Sequence, residues 1–351
     1  MLFFQYIKDK LFKKKLESDL KPESKSPTKG TIFLLAISEL VMLVLGILLA
    51  LYIDRWNEKQ QIEEKFTAAL KIIQQELSND IQQTDKIFNQ YIRRDSLWSN
   101  VMGNKLSRQD YKVGISAFDK IIFFYIQLNI HSDGFKILSK FNEEVPEQYE
   151  NIFYKLKNFY SRKTDIDEYN KNFKKVVWEN IDYMYNRPWF SVDEFNGRVS
   201  EDQIDFYLHN PYYKSMVHNT MNSMGNSYHV SRSFRLVGID MYKELKEVIG
   251  DTIKMPEHIT YTLTDSLKLQ QLIGNYKLTE GREDSRFETD LEIEMKDNIL
   301  VILREDKGPY IFYHFKESIF FTKSGYVFKF SGNGQLKIID GFRQATLWSK
   351  Q

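Results

Sequence analysis

The six histidines of this 351-residue chain are the side chains whose type best suits acid–base catalysis or metal binding at neutral pH. They are His131, His209, His218, His229, His258 and His314. The three at positions 209, 218 and 229 are nine and eleven residues apart, and neither spacing gives the i, i+4 pair that places two ligands on one helical face. We therefore expect exposed or hydrogen-bonded histidines, with a metal site as the alternative.

Acidic and aromatic residues between positions 178 and 202 form the second candidate. The pairs Asp193-Glu194 and Glu201-Asp202 predict a solvated loop, and cation binding is the alternative. One arginine and three aromatic residues of the same region fit either core packing or a ligand-binding face. They are Trp178, Arg187, Trp189 and Phe190.

Known catalytic motifs are missing from the sequence. It has no GxSxG, Walker, GxGxxG, HExxH or EF-hand pattern, so we predict no catalytic residue and no cofactor. It also has no cysteine, which excludes disulfides, thiol catalysis and cysteine-ligated metals. The net charge of +1 gives no indication of a nucleic-acid partner.

One apolar stretch, from Thr31 to Ile53, dominates the organisation of the chain. It is apolar except at Thr31, Ser38, Glu39 and Tyr52. As a helix it would rise about 34 Å, enough to cross a hydrocarbon core of about 30 Å. We predict a single transmembrane helix over residues 31–53, since a buried helix of a soluble protein is usually shorter.

The charges that flank this stretch predict its orientation. Residues 1–30 contain eight lysines and four acidic residues, whereas residues 54–66 contain three basic and four acidic ones. The positive-inside rule then places the amino terminus in the cytoplasm and the later residues in the periplasm. No small-x-small cleavage site follows the apolar stretch, so we expect an uncleaved signal anchor in the inner membrane.

The first thirty residues combine apolar side chains at helical spacing with a group of lysines. The lysines are Lys8, Lys10, Lys13, Lys14 and Lys15. This pattern fits a short helix on the membrane surface with its lysines near anionic lipid headgroups, and a disordered basic tail is the alternative. Residues Pro22–Gly30 are predicted to be a flexible linker.

Glu39 is the unusual residue of the apolar stretch, because a carboxylate inside a membrane is costly and usually faces a partner or water. Gly46 and Ala50 follow at i+7 and i+11, within about 20° of the same helical direction. An acidic residue and two small residues on one face predict packing against a second helix. The alternatives are an unpartnered, protonated Glu39 and an ion or proton relay.

The same stretch resembles the GEI…GI.IAL.I..WNE signature of a family of uncharacterised single-pass bacterial envelope proteins, a domain of unknown function. The matching motifs are Ser38-Glu39-Leu40, Leu45-Gly46-Ile47, Ala50-Leu51 and Asp54-Arg55-Trp56-Asn57-Glu58. Ser38 replaces the usual glycine. The resemblance covers about residues 1–250, and it implies a location in the envelope and a long helical region but no chemistry.

Residues 54–264 predict an extended helical bundle. Apolar residues recur every three or four positions from Ile62 to Tyr91, which indicates either a coiled-coil stalk or one arm of the bundle. Asp119–Ile130 is predicted to be a core helix that is too short to cross a membrane. We expect a loop over residues 188–211, with a short helix at 200–208, and a long helix from Tyr212 to Ile249.

Residues 265–351 predict a small antiparallel β-barrel or curled sheet of eight strands. The apolar period changes from 3.6 to 2, and the strands are separated by turn sequences such as Gly332-Asn333-Gly334. The segments Leu272–Tyr276, Asp297–Val301 and Tyr326–Phe330 resemble a lipocalin-like domain appended to some bacterial serine hydrolases, which implies binding or packing. Abundant Phe and Tyr predict an interior filled by side chains, with a ligand cavity as the alternative.

These predictions combine into a membrane-anchored α+β protein without enzymatic activity. The first hypothesis is a structural or accessory subunit of a bacterial envelope complex, whose partners are membrane lipids and either a second copy or another membrane protein. The alternative is an extracytoplasmic small-molecule sensor or binding protein that acts through a partner. An enzyme is the third option.

Overall fold

The computed structural model describes residues 29–141, 144–196, 199–261, 265–281, 287, 290–297, 299–303, 308–340 and 345–351. The lysines predicted to contact the membrane surface, Lys8, Lys10, Lys13, Lys14 and Lys15, lie outside these residues. The chain divides into two compact units, with the division between Glu63 and Glu64.

The described residues contain nine α-helices, most of them before residue 250. They are α1 (Lys29–Met102), α2 (Arg108–Phe123), α3 (Asp133–Leu138), α4 (Glu150–Ser161), α5 (Lys163–Tyr185), α6 (Pro188–Asn196), α7 (Glu201–His209), α8 (Pro211–Ile249) and α9 (Ser266–Leu272). The boundaries of α8 follow from local sequence. The Asn210 side chain caps its first turn, and Gly250 adopts the left-handed conformation (φ 69°) just after its end.

Within the second unit, α1 is one arm of a helical bundle, as its periodicity predicted. One face of the helix is buried at intervals of three or four residues, beginning with Phe66, Leu70 and Ile73. The Phe66 ring stacks on Tyr149 at a centroid distance of 5.1 Å, and farther along the helix Phe88 contacts Tyr228 of α8. The partners of this face belong to the same chain, as the bundle interpretation requires.

Two expectations about local structure were wrong. The predicted helix Asp119–Ile130 ends at Phe123, because Phe124 is extended and backbone groups of the residues after it are bound by side chains of neighbouring helices. The predicted loop at residue 188 is instead the start of α6. Pro188 is its first residue, where proline is tolerated because the first-turn amides have no acceptor within the helix.

The described carboxy-terminal residues form one antiparallel sheet. Its strands are β1 (Gly274–Glu280), β2 (Asp290–Lys296), β3 (Ile299–Ile302), β4 (Tyr310–Ile311), β5 (Tyr313–Lys316), β6 (Ile319–Phe321), β7 (Val327–Phe330), β8 (Gln335–Ile339) and β9 (Thr346–Lys350). The strand order is β4-β3-β2-β1-β9-β8-β7-β6-β5. Sequence periodicity predicted eight strands, whereas the described residues contain nine. The additional strand arises because β4 and β5 are separated at Phe312 instead of forming one strand.

The sheet is a nearly closed barrel, because its two edge strands are consecutive in the chain. Phe312 joins β4 to β5, and its amide donates to the Leu300 carbonyl of β3 at 3.0 Å. Strand β4 pairs with β3, whereas β5 pairs with β6. The other edge of β5 is bound as well, since the His314 amide donates to the Tyr261 carbonyl at 2.8 Å. The edge is thus protected from pairing with another chain.

Side chains fill the interior of the barrel, as its aromatic content predicted. The inner cluster includes Phe312, Phe328 and Trp348, and the rings of the first two meet edge-to-face at 4.4 Å. Alternate residues point outward and belong to the core of the helical bundle instead, among them Phe321 and Val327. Both faces of this part of the sheet are therefore buried within the second unit.

Candidate functional site

The residues of α1 from Ile37 to Ile53, called here the apolar segment, are the strongest candidate for a functional surface. Every one of them is exposed, and the exposed fractions of its large apolar side chains lie between 42% for Ile37 and 68% for Tyr52. In the described chain this is the one helix long and apolar enough to cross a membrane. The finding is consistent with single-pass anchoring near the amino terminus.

Aromatic residues mark the carboxy-terminal end of the apolar segment. Tyr52 and Trp56 are both exposed and lie four residues apart, hence on one face of the helix. Asp54 and Arg55 come between them and begin the charged part of α1. Tyrosine and tryptophan followed by charges are typical of the position where a membrane-spanning helix enters the interface.

Glu39, Gly46 and Ala50 lie on this segment, and all three are exposed. A Cβ atom added to Gly46 would meet nothing within 4 Å in the described chain, whereas one added to Gly134 would lie 2.7 Å from Ile73 Cγ1. Glycine inside a helix costs about 1 kcal/mol relative to alanine. Close packing within the chain accounts for Gly134, and no contact among the described residues requires glycine at position 46.

The histidines are hydrogen-bonded at separate places rather than gathered into a metal site. His258 contacts Ser78 at 3.0 Å, His229 contacts Arg232 at 3.0 Å, and His131 contacts Asp80. No group of three or more histidine, aspartate or glutamate residues in the described part of the chain could hold a metal ion.

The predicted ligand face between residues 178 and 202 is assembled only in part. Arg187 and Trp189 line an open depression of about 590 Å³ together with Asp202 and His209. Phe190 is buried in the core, and Trp178 is exposed but is not part of the depression. Among the acidic residues of this region, Glu201 forms ion pairs with Arg108 and Lys112, which lower the pKa of its carboxyl group.

Sequence reasoning missed a row of acceptors on α1. We call Phe124–Ser132, the segment without helix or strand between α2 and α3, the strap. Side chains of Glu76, Asp80 and Gln83 accept hydrogen bonds from four backbone amides of the strap and of the first turn of α3. The donors are Asn129, His131, Asp133 and Gly134. The acceptors are spaced i, i+4, i+7, so they share one face of the helix.

Helix α5 binds carbonyl groups of the strap and of the last turn of α2. The Asn170 side chain donates to the Leu128 carbonyl at 2.8 Å, and the Asn180 side chain donates to the Ile122 carbonyl at 2.9 Å. Both asparagines are buried. The buried backbone groups of a segment without helix or strand need partners, and here they are side chains of two helices rather than a neighbouring strand.

The centre of the row is the contact between Asp80 and His131. The His131 amide donates to Asp80 Oδ2 at 2.9 Å, and His131 Nδ1 lies 2.5 Å from Asp80 Oδ1. Burial raises the pKa of Asp80 from 3.8 to about 6, although the hydrogen bonds from His131 act in the opposite direction. The hydrogen bond with Asp80 raises the pKa of His131 above its ordinary value.

A second buried polar contact fastens α8 to α1. Arg235 Nη1 donates to Asp85 Oδ1 at 2.6 Å and to Thr84 Oγ1 at 3.0 Å, and its Nη2 donates to the His258 carbonyl at 3.0 Å. Burial lowers the pKa of Arg235 and raises that of Asp85. Arg235 therefore holds the segment that leads to the barrel against the bundle.

Residues 39–138 match the model of a protein family of unknown function (DUF6090). This confirms, for that range, the resemblance to a family of unknown function that the motifs of the span predicted. The matched range contains the apolar segment from Glu39 onward, and it also contains both sides of the contact between Asp80 and His131. No curated protein matches the sequence.

Proposed function

We propose that this protein is a non-enzymatic, membrane-anchored accessory subunit of a bacterial envelope complex. The observation that supports this proposal best is the exposure of apolar side chains all around α1 between Ile37 and Ile53. Exposed leucine and isoleucine side chains on every side of a helix are unfavourable in water and favourable in lipid. The partners would be membrane lipids and a second membrane-spanning helix.

An amino terminus in the cytoplasm and a periplasmic location of residues 54–351 are the proposed orientation. The eight lysines and four acidic residues before residue 31 support it, because positively charged flanks stay on the cytoplasmic side. Tyr52 and Trp56 would then lie at the outer interface. Lys8, Lys10, Lys13, Lys14 and Lys15 are proposed to contact anionic headgroups on the inner side.

Association through the membrane-spanning helix is proposed for the face that carries Glu39, Gly46 and Ala50. A glycine that packing within the chain does not require allows a second helix to approach closely. The carboxyl group of Glu39 would gain a hydrogen-bond partner on that helix. The second helix belongs either to another copy of the chain or to a different membrane protein.

A role without catalysis is proposed because the sequence has no catalytic motif and the barrel interior is occupied by side chains. A barrel filled with aromatic rings packs against other parts of a protein and leaves no room for a substrate inside. The resemblance of this part of the chain to a lipocalin-like accessory domain points in the same direction. Hydrolase turnover by the purified full-length protein would overturn this part of the proposal.

Labelling of single cysteines tests the anchoring and the orientation, since the natural chain has no cysteine to remove. We would compare Lys71→Cys, at an exposed position of α1, with Ser26→Cys before the apolar segment. A membrane-impermeant maleimide is expected to label Lys71→Cys in cells with a permeabilised outer membrane, and Ser26→Cys only after lysis. The opposite pattern would contradict the orientation, and release of the protein by alkaline carbonate would contradict the anchoring.

Crosslinking in membranes tests the association. We expect Glu39→Ala to reduce the recovery of crosslinked oligomer or partner several-fold, whereas Val41→Ala, on the opposite side of the helix, leaves the recovery unchanged. Equal recovery from the natural protein and Glu39→Ala would eliminate the proposed packing face. Native mass measurement after detergent extraction would distinguish a homo-oligomer from a complex with another protein.

A sensor or binding protein is the second candidate function, and the open depression beside Arg187 and Trp189 favours it. An arginine, an aromatic ring and the carboxylate of Asp202 around one depression offer groups for a polar small molecule. A ligand-dependent rise in the melting temperature of the full-length protein, abolished by Arg187→Ala, would support this function over the first. A membrane partner that copurifies regardless of ligand would support the first.

A further inference from the structure

The strap is attached to α1 through a pair of groups that differ sharply in their access to water. The Asp80 side chain is 1% exposed, whereas the side chain of its partner His131 is 50% exposed. The imidazole of His131 can therefore exchange its proton with solvent. The Asp80 carboxylate, which the protonated imidazole neutralises, is almost completely shielded from water. A buried carboxylate is unfavourable without a positive charge or strong hydrogen bonds beside it.

The surroundings of the pair add negative charge from two further carboxylates. Glu76 on α1 and Asp133 on α3 both act on the pair electrostatically, and Asp133 is itself bound to Lys136. The Tyr160 hydroxyl on α4 faces Glu76 and Asp80, and burial raises its pKa, so it remains protonated and neutral. Protonated His131 is thus the cation directly bound to Asp80.

We propose that Asp80 and His131 form a proton-operated latch, which holds the strap on α1 while His131 is protonated and loosens it when the imidazole becomes neutral. The latch is independent of the proposed function, because it concerns contacts within the second unit. Loosening would free the amides of Asn129 and His131 from α1, while Asn170 of α5 still binds the Leu128 carbonyl.

The direction of the pH effect follows from the two pKa values. The pKa of Asp80 is raised from 3.8 to about 6, and the pKa of His131 is raised above 6.5. Each group binds its proton more tightly in the latched state than in the open state. The contribution of Asp80 is therefore complete below its ordinary pKa of 3.8 and is lost as the pH rises through about 6, whereas the contribution of His131 is complete below 6.5 and is lost as the pH passes the raised pKa of the imidazole.

Amide hydrogen exchange in the full-length protein, in detergent, tests this latch between about pH 5 and about pH 9. After correction for intrinsic exchange, the protection of residues 129–134 is expected to fall on raising the pH, by at most about tenfold per pH unit. Strands β6 to β8 serve as the internal reference and should keep their protection. A parallel loss in the barrel would indicate global unfolding and would overturn the local latch.

Two variants distinguish the latch from a merely structural contact. His131→Gln keeps a hydrogen-bonding side chain that does not titrate in this range, so the part of the pH dependence of strap protection that belongs to the imidazole should vanish, while the part that belongs to Asp80 remains. Tyr160→Phe removes a buried hydroxyl that has no hydrogen-bond partner among the described residues, and it should leave that dependence unchanged. The same pH dependence in His131→Gln, or none in the natural protein, would overturn the proposal.

Exchange of the His131 Cε1 hydrogen gives a second measurement that does not depend on the folding of the His131→Gln variant. It reports the pKa of the imidazole directly, and we expect a value above 6.5 in the natural protein. Asp80→Asn is isosteric and cannot carry the negative charge, so it should lower that pKa. An unchanged pKa of His131 in Asp80→Asn would contradict the coupling on which the latch depends.

Discussion

The two halves of α1 show how one helix meets two different environments. Between Ile37 and Ile53, apolar side chains surround the whole helix and all are exposed. Between Phe66 and Val101, apolar side chains follow one face, and they are buried against the same chain. Both halves are rich in good helix formers, so helix propensity does not distinguish them. The distribution of apolar residues around the helix axis distinguishes them. Apolar residues on every side of a helix suit lipid, and apolar residues on one face suit a protein core.

Glycine residues repeat this contrast. Gly134 lies so close to Ile73 that a Cβ atom would clash, whereas a Cβ atom at Gly46 would meet no atom of the described residues within 4 Å. The first glycine is explained by packing within the chain. The second is explained, under the proposed function, by packing against a helix of another molecule.

The largest expected effect comes from placing charges in the apolar segment. Leu45→Lys combined with Leu48→Lys should cost about 6 kcal/mol of membrane insertion, from about 3 kcal/mol for each lysine. Gln75→Lys combined with Asn79→Lys adds the same charge at exposed positions of the other half and should leave the protein in the membrane fraction. If both double variants stayed in the membrane fraction on carbonate extraction, the two halves of α1 would not differ in their tolerance of charge, which would contradict the comparison.

Removal of the Arg235 side chain is expected to have the next largest effect. Arg235→Ala leaves the Asp85 carboxylate and the His258 carbonyl without their partner, which should lower the free energy of unfolding by about 3–5 kcal/mol. The matched control is Arg93→Ala, at an exposed position of α1. Chemical denaturation of both variants in detergent measures the difference, and equal midpoints would refute the assigned role of Arg235.

A single pair of leucine substitutions tests the comparison most directly. Leu77 is fully buried and Leu48 is 56% exposed, although both lie on α1. Leu77→Ala should lower the free energy of unfolding by about 3 kcal/mol through lost burial and a cavity. Leu48→Ala should change it by less than about 0.5 kcal/mol, as is usual for surface positions. A similar loss in both would mean that the apolar segment is also part of the folded core.

The two glycines provide the smallest effect, and its sign should differ between them. Gly134→Ala forces atoms of Ile73 to move and should destabilise the second unit by about 1–3 kcal/mol. Gly46→Ala meets no such obstacle and should favour the helix by about 1 kcal/mol, while the added methyl group hinders close approach of a second helix. Thermal unfolding measures the loss of stability in Gly134→Ala, and crosslinking measures the effect of Gly46→Ala on association. Destabilisation by Gly46→Ala would contradict the contrast between the two glycines.

Local sequence pattern was sufficient for most elements of the fold. The apolar segment, the long helix α8 and the barrel strands all follow from the period of the apolar residues and from turn residues such as Gly334, which has a positive φ of 77°. The filled barrel interior followed from the aromatic content. These features depend on neighbours within a few positions, so a single sequence contains them.

The polar contacts that organise the core were decided only by the tertiary structure. Asp80 and His131 are 51 positions apart, and Arg235 is 150 positions from Asp85. No periodicity connects such residues, because their contact depends on how helices pack after they form. The strap shows the same limit: Phe124–Ile130 has the apolar content of a core helix, yet it is not helical, and side chains of α1 and α5 bind its backbone groups instead.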